Sequence, residues 1–486
     1  MLELVAGRIL APTIGVSLYT WTSVIGVVLA GLSLGNWIGG KIADRRPGRS
    51  VLSLLYLLSA IASGLILILS RNLDSVAAPY QWSAILQVLW LTVLLFFLPS
   101  VLLGTITPMI VKLTLSSLDV TGRVVGQIQA AATLGSILGV FATGFVLISA
   151  FGTRPVVAGV TVALLAMAIL SNPFWERERR PEGNRFAANV AIVSAVVFVS
   201  AVVLTATYNN PCTKESNYYC IQVLQEGGFK LLALDELIHG YVSISDPSAP
   251  VYGYERVYRQ IVDTKYGPTK AVTGFGIGGG AFTFPRYLEE FHHGHTEVAE
   301  IDKEVTKIAH EDFYLKDTPG IKIVNKDARP VLRDMPKNQR FDVILGDAYG
   351  DLAIPYHLVT RQFDELVKSR LKPDGIFMAN IIDGVHYDFL RSFIHTVKQV
   401  FPYVDLDAVP GEGTNGQRAT FVVAASSKPI PRIQTTADPT QLNQFLRERK
   451  ATTLTDDHVP VDQLLAPVFR QRLQEPDDTA ISQPNQ

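Results

Sequence analysis

Charge is what this sequence has least of. Charged residues make up 18% of the 486-residue chain, against about 25% in an ordinary soluble domain. The shortage lies almost entirely before residue 207, where long apolar runs are separated by short basic loops. Cysteine is nearly absent, with Cys212 and Cys220 the only two. Two thiols do not make a structural metal site, so no metal is expected, and a disulfide and two unpaired thiols both stay open. The formal net charge of −1 leaves no basic excess, and no nucleic-acid partner is expected. A secretory signal is also missing. Met1–Arg8 has no basic lead and reads as the tail of a helix, so the start is expected inside a longer N-terminus.

Six apolar runs approach the roughly 20 residues a bilayer-spanning helix needs. They are Val16–Gly40, Val51–Ser70, Ala84–Val111, Val125–Ala150, Val156–Ser171 and Ala187–Thr205. The third holds Pro99 and Pro108, which predicts a kink or tilt, and the fifth is short. None carries Lys, Arg, Asp or Glu in its middle, which argues against an ion or proton pathway. Gly31, Gly35 and Gly39 recur at helix-packing spacing. Basic residues crowd the loops after the first, third and fifth runs, whereas the opposite loops hold only Arg71 and Arg154. Positive-inside logic makes the crowded loops cytoplasmic and puts the C-terminal part outside. The segment Gly40–Arg49 resembles a short loop of major facilitator transporters.

Beyond Thr205 the pattern changes. Tyr219–Leu224 and Phe229–Leu234 are β-prone runs joined by Gln225-Glu-Gly-Gly228, a hairpin signal. A helix is predicted over Tyr252–Tyr266. Strand-like runs follow at Ala271–Gly274, Thr296–Glu300, Ile321–Val324, Phe341–Gly346, Gly375–Ile381, Tyr403–Ala408 and Ala419–Ala425, alternating with helical stretches. That alternation predicts a doubly wound, mainly parallel sheet, with ligands at the carboxyl ends of the strands. The first strand runs into Gly274-Phe-Gly276-Ile-Gly278-Gly279-Gly280, where a backbone can approach a ligand closely. The second ends at Glu300, placed to accept from ribose hydroxyls, while Asp302 fits a helix cap better. After the third, Asp327 suits either an adenine amino group or the cap of a helix starting at Ala328. The fourth ends in Asp347-Ala-Tyr349-Gly350-Asp351, where a carboxylate would face an incoming nucleophile and Tyr349 would lie against a cation.

In order along the chain, these segments resemble the spermidine synthases, and specifically the larger forms fused behind a multi-span membrane region. The resemblance covers about residues 212–469, and includes Lys214–Tyr219, Leu234–His239 and Leu454–Asp462. It implies a multi-span α-helical membrane domain at 1–206, a small β-rich subdomain at 212–267, a Rossmann-like domain of class I methyltransferase type at 268–430, and a helical tail at 431–486 with a disordered end. It implies a membrane-bound aminopropyltransferase that uses decarboxylated S-adenosylmethionine, or S-adenosylmethionine, as co-substrate and holds no permanent cofactor. Its partners would be the lipid bilayer and a small amine, and a homodimer is allowed. By motif position Asp347 takes the acceptor's proton. Gly276, Gly278, Glu300, Asp327, Ala328 and Tyr219 line the donor, Tyr219 standing where the family has Gln. Tyr349, Asp351, Arg259 and His239 fall on the acceptor side. Family acids are replaced by Gly279 and Gly350, and a family His by Arg259, which puts a conventional diamine site in doubt. Asp456, Asp457 and Asp462 are spare acids of the tail. The alternatives are a transporter or sensor with a non-catalytic polyamine or nucleoside site, another S-adenosylmethionine-dependent transferase, and an NAD-dependent oxidoreductase. A cytosolic donor conflicts with an exterior C-terminal domain.

Overall fold

The computed structural model describes residues 1–14, 18–70, 84–173, 188–197, 212–235, 237–267, 270–348, 354–410 and 418–474. The chain divides into two compact units, Met1–Pro211 with Glu215–Asn217, and Cys212–Lys214 with Tyr218–Gln486.

In the first unit, five of the described helices are long and apolar enough to cross a bilayer: Leu18–Arg45, Arg49–Leu69, Ile85–Thr114, Leu118–Phe151 and Thr153–Leu170. The first five expected runs are all here, with different ends. The first helix runs on to Arg45 because its terminal Lys41 and Arg45 keep their charges at the margin of the apolar stretch. Of the sixth run, Ala187–Thr205, only Ala188–Val197 is described as a helix; the rest lies outside the described residues. Leu2–Ile14 forms a further helix. The three glycines do what their spacing predicts. A Cβ on Gly31 would stand 2.7 Å from the Ser100 Cβ, one on Gly39 2.6 Å from the Thr105 Cα, and one on Gly35 would meet the Val101 carbonyl. Leu18–Arg45 therefore packs backbone-to-backbone on Leu98–Thr114, the close approach that small residues permit in lipid. Proline distorts the third run before Pro99. A π-helical turn at Val93–Phe97 precedes it, making room for a ring that would clash with the carbonyl four residues back.

A four-stranded sheet follows in the order β1 (Lys214–Glu215), β2 (Cys220–Glu226), β3 (Phe229–Leu234) and β4 (Leu237–Ser243), with β2–β3 and β3–β4 antiparallel. The β2–β3 turn falls at Gly227-Gly228, with Gly227 at φ +56°, as the hairpin signal predicts; β4 was not read as a strand. Cys212 and Cys220 are disulfide-bonded.

Helix α1 (Gly253–Tyr266) leads into a seven-stranded sheet made of β5 (Thr273–Ile277), β6 (His295–Ala299), β7 (Ile321–Val324), β8 (Phe341–Gly346), β9 (Leu371–Asp383), β10 (Tyr403–Ala408) and β11 (Ala419–Ser426). Their order is β10-β11-β9-β8-β5-β6-β7. The five strands β5 to β9 are parallel, and β10 and β11 close one edge antiparallel. All seven expected strands are present. Helices α2 (Thr283–His292), α3 (Lys303–Asp312), α4 (Ala328–Asp334), α5 (Arg361–Arg370) and α6 (Asp388–Val397) alternate with them. Three of them start at side-chain caps: Asp302 accepts from the Glu304 amide, Asp327 from Arg329 and Thr360 from Phe363, each cap contributing about 1 kcal/mol. The apolar face of α1 (Val257, Tyr258, Ile261, Val262) packs on Val343, Leu345, Ile376 and Met378 of the central strands. Strand order reverses between β5 and β8, the point where an open α/β sheet leaves a crevice.

Candidate active site

The glycine loop and the end of β8 meet at that reversal. The Asp347 amide donates to the Ile277 carbonyl at 2.9 Å. Gly278 has φ +88°, and a Cβ there would run into the Asp347 backbone carbonyl. Only glycine brings the two strand ends this close.

On the donor side the acids are engaged with backbone. Glu300 is buried, with Oε2 accepting from the Gly279 amide at 2.8 Å and Oε1 from the Asp302 amide at 2.9 Å. Burial raises its pKa while these amides pull it down. Asp327 accepts from the Arg329 amide at 2.8 Å and pairs its other oxygen with His357 Nε2 at 2.7 Å. Of the two roles left open in the sequence, the cap is the one its hydrogen bond to Arg329 shows. Buried Ala328 follows as the first residue of α4. Tyr218 lies within electrostatic range of the acids: after burial, the charges of Asp302, Asp327 and Glu300 raise its pKa. Tyr219 packs instead on the β-sheet cluster around Ile221 and Leu232. His239 of β4 has its ring centroid 6.4 Å from that of Tyr219, and burial, then the Arg418 charge, push its pKa down to about 4. It is neutral at pH 7 and adds no cation.

On the other side the half-buried Asp347 side chain is held by partners from two elements. Tyr254 of α1 donates to Oδ2 at 2.5 Å, and Asn380 of β9 donates from Nδ2 to Oδ1 at 3.0 Å. Burial raises the Asp347 pKa and these two bonds lower it, with a net rise. The Tyr258 hydroxyl reaches the Gly346 carbonyl at 3.4 Å. Tyr241, Tyr252, Tyr254 and Tyr258 form a continuous file of ring contacts alongside. Among the described residues, two buried acceptor atoms near here have no hydrogen-bond partner, Asn380 Oδ1 and Glu255 Oε2.

Comparison with known proteins agrees with this geometry. The Major Facilitator Superfamily profile matches residues 5–299, and the spermine/spermidine synthase domain profile matches residues 276–430. The chain belongs to the membrane-fused spermidine synthases, with a Major Facilitator Superfamily membrane half. The two matches overlap at residues 276–299, which fold as the end of β5, α2 and β6. Among curated relatives, the polyamine aminopropyltransferase of Vibrio vulnificus (strain CMCP6) is 36% identical over 107 residues, 22% of this chain and 35% of that protein. Polyamine aminopropyltransferase 1 of Aquifex aeolicus (strain VF5) is 27% identical over 226 residues, 44% of this chain and 76% of that protein. The chain thus spans about a third of the first relative's length and three quarters of the second's. A crystal structure of a probable spermidine synthase from Corynebacterium glutamicum ATCC 13032 is 20% identical, covering 51% of this chain and 97% of that one, with a TM-score of 0.45.

Several of the sequence positions now have a physical reading. The missing acid at Gly279 is a packing consequence. A Cβ there would fall under 3.0 Å from three ring atoms of Phe282, a fully buried side chain held at φ +57°. Gly350, Tyr349 and Asp351 lie outside the described residues. Arg259 is not beside Asp347. Its Nε pairs with Asp263 at 3.3 Å, and it lines an outer groove with Pro250, Gln260 and Arg432. The inner face of α1 carries Tyr254 and Tyr258, and Arg259 is one helical step off that face. Of the spare tail acids, Asp456 is bound bidentate by Arg329 at 2.8 and 2.6 Å and by the Thr360 hydroxyl at 2.7 Å. It braces the helix beside Asp327 and contributes no free charge. Tyr254, Glu255 and Asn380 were not singled out in the sequence, although Asn380 lies near the carboxyl end of a central parallel strand, where the crevice rule points.

Proposed function

We propose that the chain transfers an aminopropyl group from decarboxylated S-adenosylmethionine to an amine, releasing methylthioadenosine. The observation that carries this reading is the half-buried Asp347 at the strand reversal, against the glycine loop and held by Tyr254 and Asn380. Glu300 keeps further lone pairs beyond its two backbone bonds, so ribose hydroxyls can donate to it. Gly276 and Gly278 line the donor loop, Asp327 and Ala328 face the adenine, and Tyr218 joins Tyr219 at the rim. An acceptor amine enters as an ammonium and hands one proton to Asp347. Its nitrogen lone pair forms a C–N bond to the methylene next to the sulfonium. The C–S bond breaks, and sulfur keeps the pair as a neutral thioether. A carboxylate with a raised pKa suits the proton-accepting role, and holding the two reactants in line supplies much of the rest, because the sulfonium is already activated. The carboxylates beside Asp347 disfavour a donor that keeps its own α-carboxylate, since like charges would face each other in a buried crevice.

The test is the full-length protein in detergent, supplied with decarboxylated S-adenosylmethionine and a panel of amines. Amine-dependent release of methylthioadenosine is expected. Donor binding with no release for any amine would overturn the reading. The Cys212–Cys220 disulfide supports a C-terminal domain outside the cytoplasm, in line with the basic loops; a C-terminal reporter active only in the cytoplasm contradicts that placement.

A further inference from the structure

Arg259 stands where the family has a histidine, and the transfer reading leaves it without a role. Arg256, Arg259, Gln260 and Asp263 recur at steps of three and four residues, so they share one face of α1, while Val257, Tyr258, Ile261 and Val262 face the core. The polar face walls a groove of about 680 Å³, and Arg432, from the segment after β11, lines it as well. Three guanidiniums therefore line the groove against one carboxylate, Asp263. That carboxylate is already committed. Its Oδ1 accepts from the Tyr287 hydroxyl and lies 2.9 Å from His292 Nε2, both rings being buried, and its Oδ2 accepts from Arg259 Nε at 3.3 Å. Arg259 is thus oriented by an acid that buried groups hold in turn, and its guanidinium also lies over the Tyr287 ring, 5.7 Å from the centroid. Arg256 is anchored through Nε on the Val251 carbonyl at 2.8 Å, and Arg432 through Nη2 on the Ala437 carbonyl at 2.7 Å. Neither is ion-paired among the described residues; Arg432 lies in electrostatic range of Asp405, Asp407 and Asp438 without bonding them. A guanidinium carries more N–H donors than one anchor uses, so each keeps donors for an incoming acceptor.

We propose that this groove binds a phosphate-class anion, a tetrahedral and multiply charged head whose oxygens accept from Arg256, Arg259 and Arg432 together. A single exposed ion pair contributes little, so the site depends on several guanidiniums acting on one ligand. Anchoring them in advance lowers the cost of ordering them when the ligand arrives. Guanidinium forks match phosphate oxygens in geometry as well as in charge, whereas a monocarboxylate brings one charge to three cations. The groove volume falls in the range of small-molecule sites, and Pro250 and Ile433 make part of its lining apolar, which suits a phosphate carrying an organic substituent. A soluble phosphate compound and the headgroup of an anionic phospholipid share this chemistry. Arg259 is off the inner face of α1, so the site is separate from Asp347 and does not depend on aminopropyl transfer.

The test is titration calorimetry on the full-length protein in a neutral detergent. Inorganic pyrophosphate is the soluble probe, and dihexanoyl phosphatidylglycerol below its micelle concentration is the lipid probe. At least one of them is expected to bind. Arg259→Gln and Arg432→Gln should each raise its Kd roughly tenfold, as for the loss of one bond to a charged group, and the double substitution should weaken it further. Lys307→Gln removes a positive charge elsewhere on the surface, from a pair with Glu311, and should leave the Kd unchanged, which separates the groove from overall charge. All three side chains are exposed, and an unchanged Tm shows that affinity was lost without the fold. In the wild type the Kd should also rise with sodium chloride, because exposed charges are screened. Arginine-dependent binding of pyrophosphate alone assigns the groove to a soluble phosphate, and of phosphatidylglycerol alone to a headgroup; dependence with both supports the shared chemistry. No binding of either probe, a Kd that the arginine substitutions leave unchanged or that Lys307→Gln weakens equally, or a Kd indifferent to salt overturns the proposal.

Discussion

The two sides of the crevice treat their acids differently. On the donor side, Glu300 and Asp327 have both oxygens occupied, by backbone amides and by His357. Beside Asp347, Glu255 and Asn380 each leave a buried acceptor atom with no partner among the described residues, while burial raises the pKa on both sides, at Glu300 as at Asp347 and Glu255. The first arrangement is pre-organised, with lone pairs to spare for neutral hydroxyls and amino groups. The second keeps acceptor atoms open to a group that brings N–H donors. The difference teaches that one crevice can be rigid toward a nucleoside and incomplete toward an amine, with the strand reversal separating the two.

The comparison breaks most sharply at Asp347. Asp347→Asn removes the proton acceptor and is expected to cut kcat by about 10²- to 10⁴-fold, while calorimetry with methylthioadenosine shows unchanged affinity. Turnover near the wild-type rate would remove Asp347 from the mechanism. Gly279→Asp restores the family acid in sequence but drives it into the Phe282 ring. Overpacking of this kind costs about 1–3 kcal/mol, so Tm falls and putrescine KM does not improve. A lower putrescine KM with unchanged Tm would show that the ring yields. Glu300→Gln keeps the volume but replaces one acceptor with a donor facing a backbone amide. Methylthioadenosine Kd is expected to rise roughly tenfold, about 1.4 kcal/mol, with amine KM held; equal losses on both sides would mean that the two are not separable.

The smallest effect is on stability against pH. Glu255, Asp383 and Asp407 have pKa values raised to about 8, 7 and 6, in each case mainly by burial. Unfolded, these groups ionise near pH 4. Between those limits the native chain holds protons that the unfolded chain has released, so their contribution to stability is complete below the unfolded values and is lost as pH rises through the folded ones. The ligand-free protein is expected to lose a few degrees of Tm, roughly, between pH 5 and pH 8. A Tm that rises steadily over that window contradicts the burial of these acids.

The sheet was legible in the sequence because a buried parallel sheet writes continuous apolar runs and its helices carry caps such as Asp302 and Asp327. The positions of Glu300, Asp327 and Asp347 were legible for a related reason: they sit at fixed offsets from strand ends. The partners of Asp347 were not, because they come from α1 and β9, 93 and 33 positions away. Spacing along the chain carries no trace of that meeting. Arg259 was misplaced because its motif position does not show which face of α1 it occupies, and the loss at Gly279 looked like a lost charge because the Phe282 ring is visible only in three dimensions. Glycine spacing did reveal the contact between Leu18–Arg45 and Leu98–Thr114, since close backbone approach needs small residues in register.

The central claim is tested most directly by the mass of the amine itself. Full-length protein is incubated with decarboxylated S-adenosylmethionine and putrescine, and amine and nucleoside products are counted together. The account expects one aminopropyl unit gained by the amine for each methylthioadenosine released. Bound donor with an unchanged amine, or methylthioadenosine formed without a matching aminopropylated product, would contradict it.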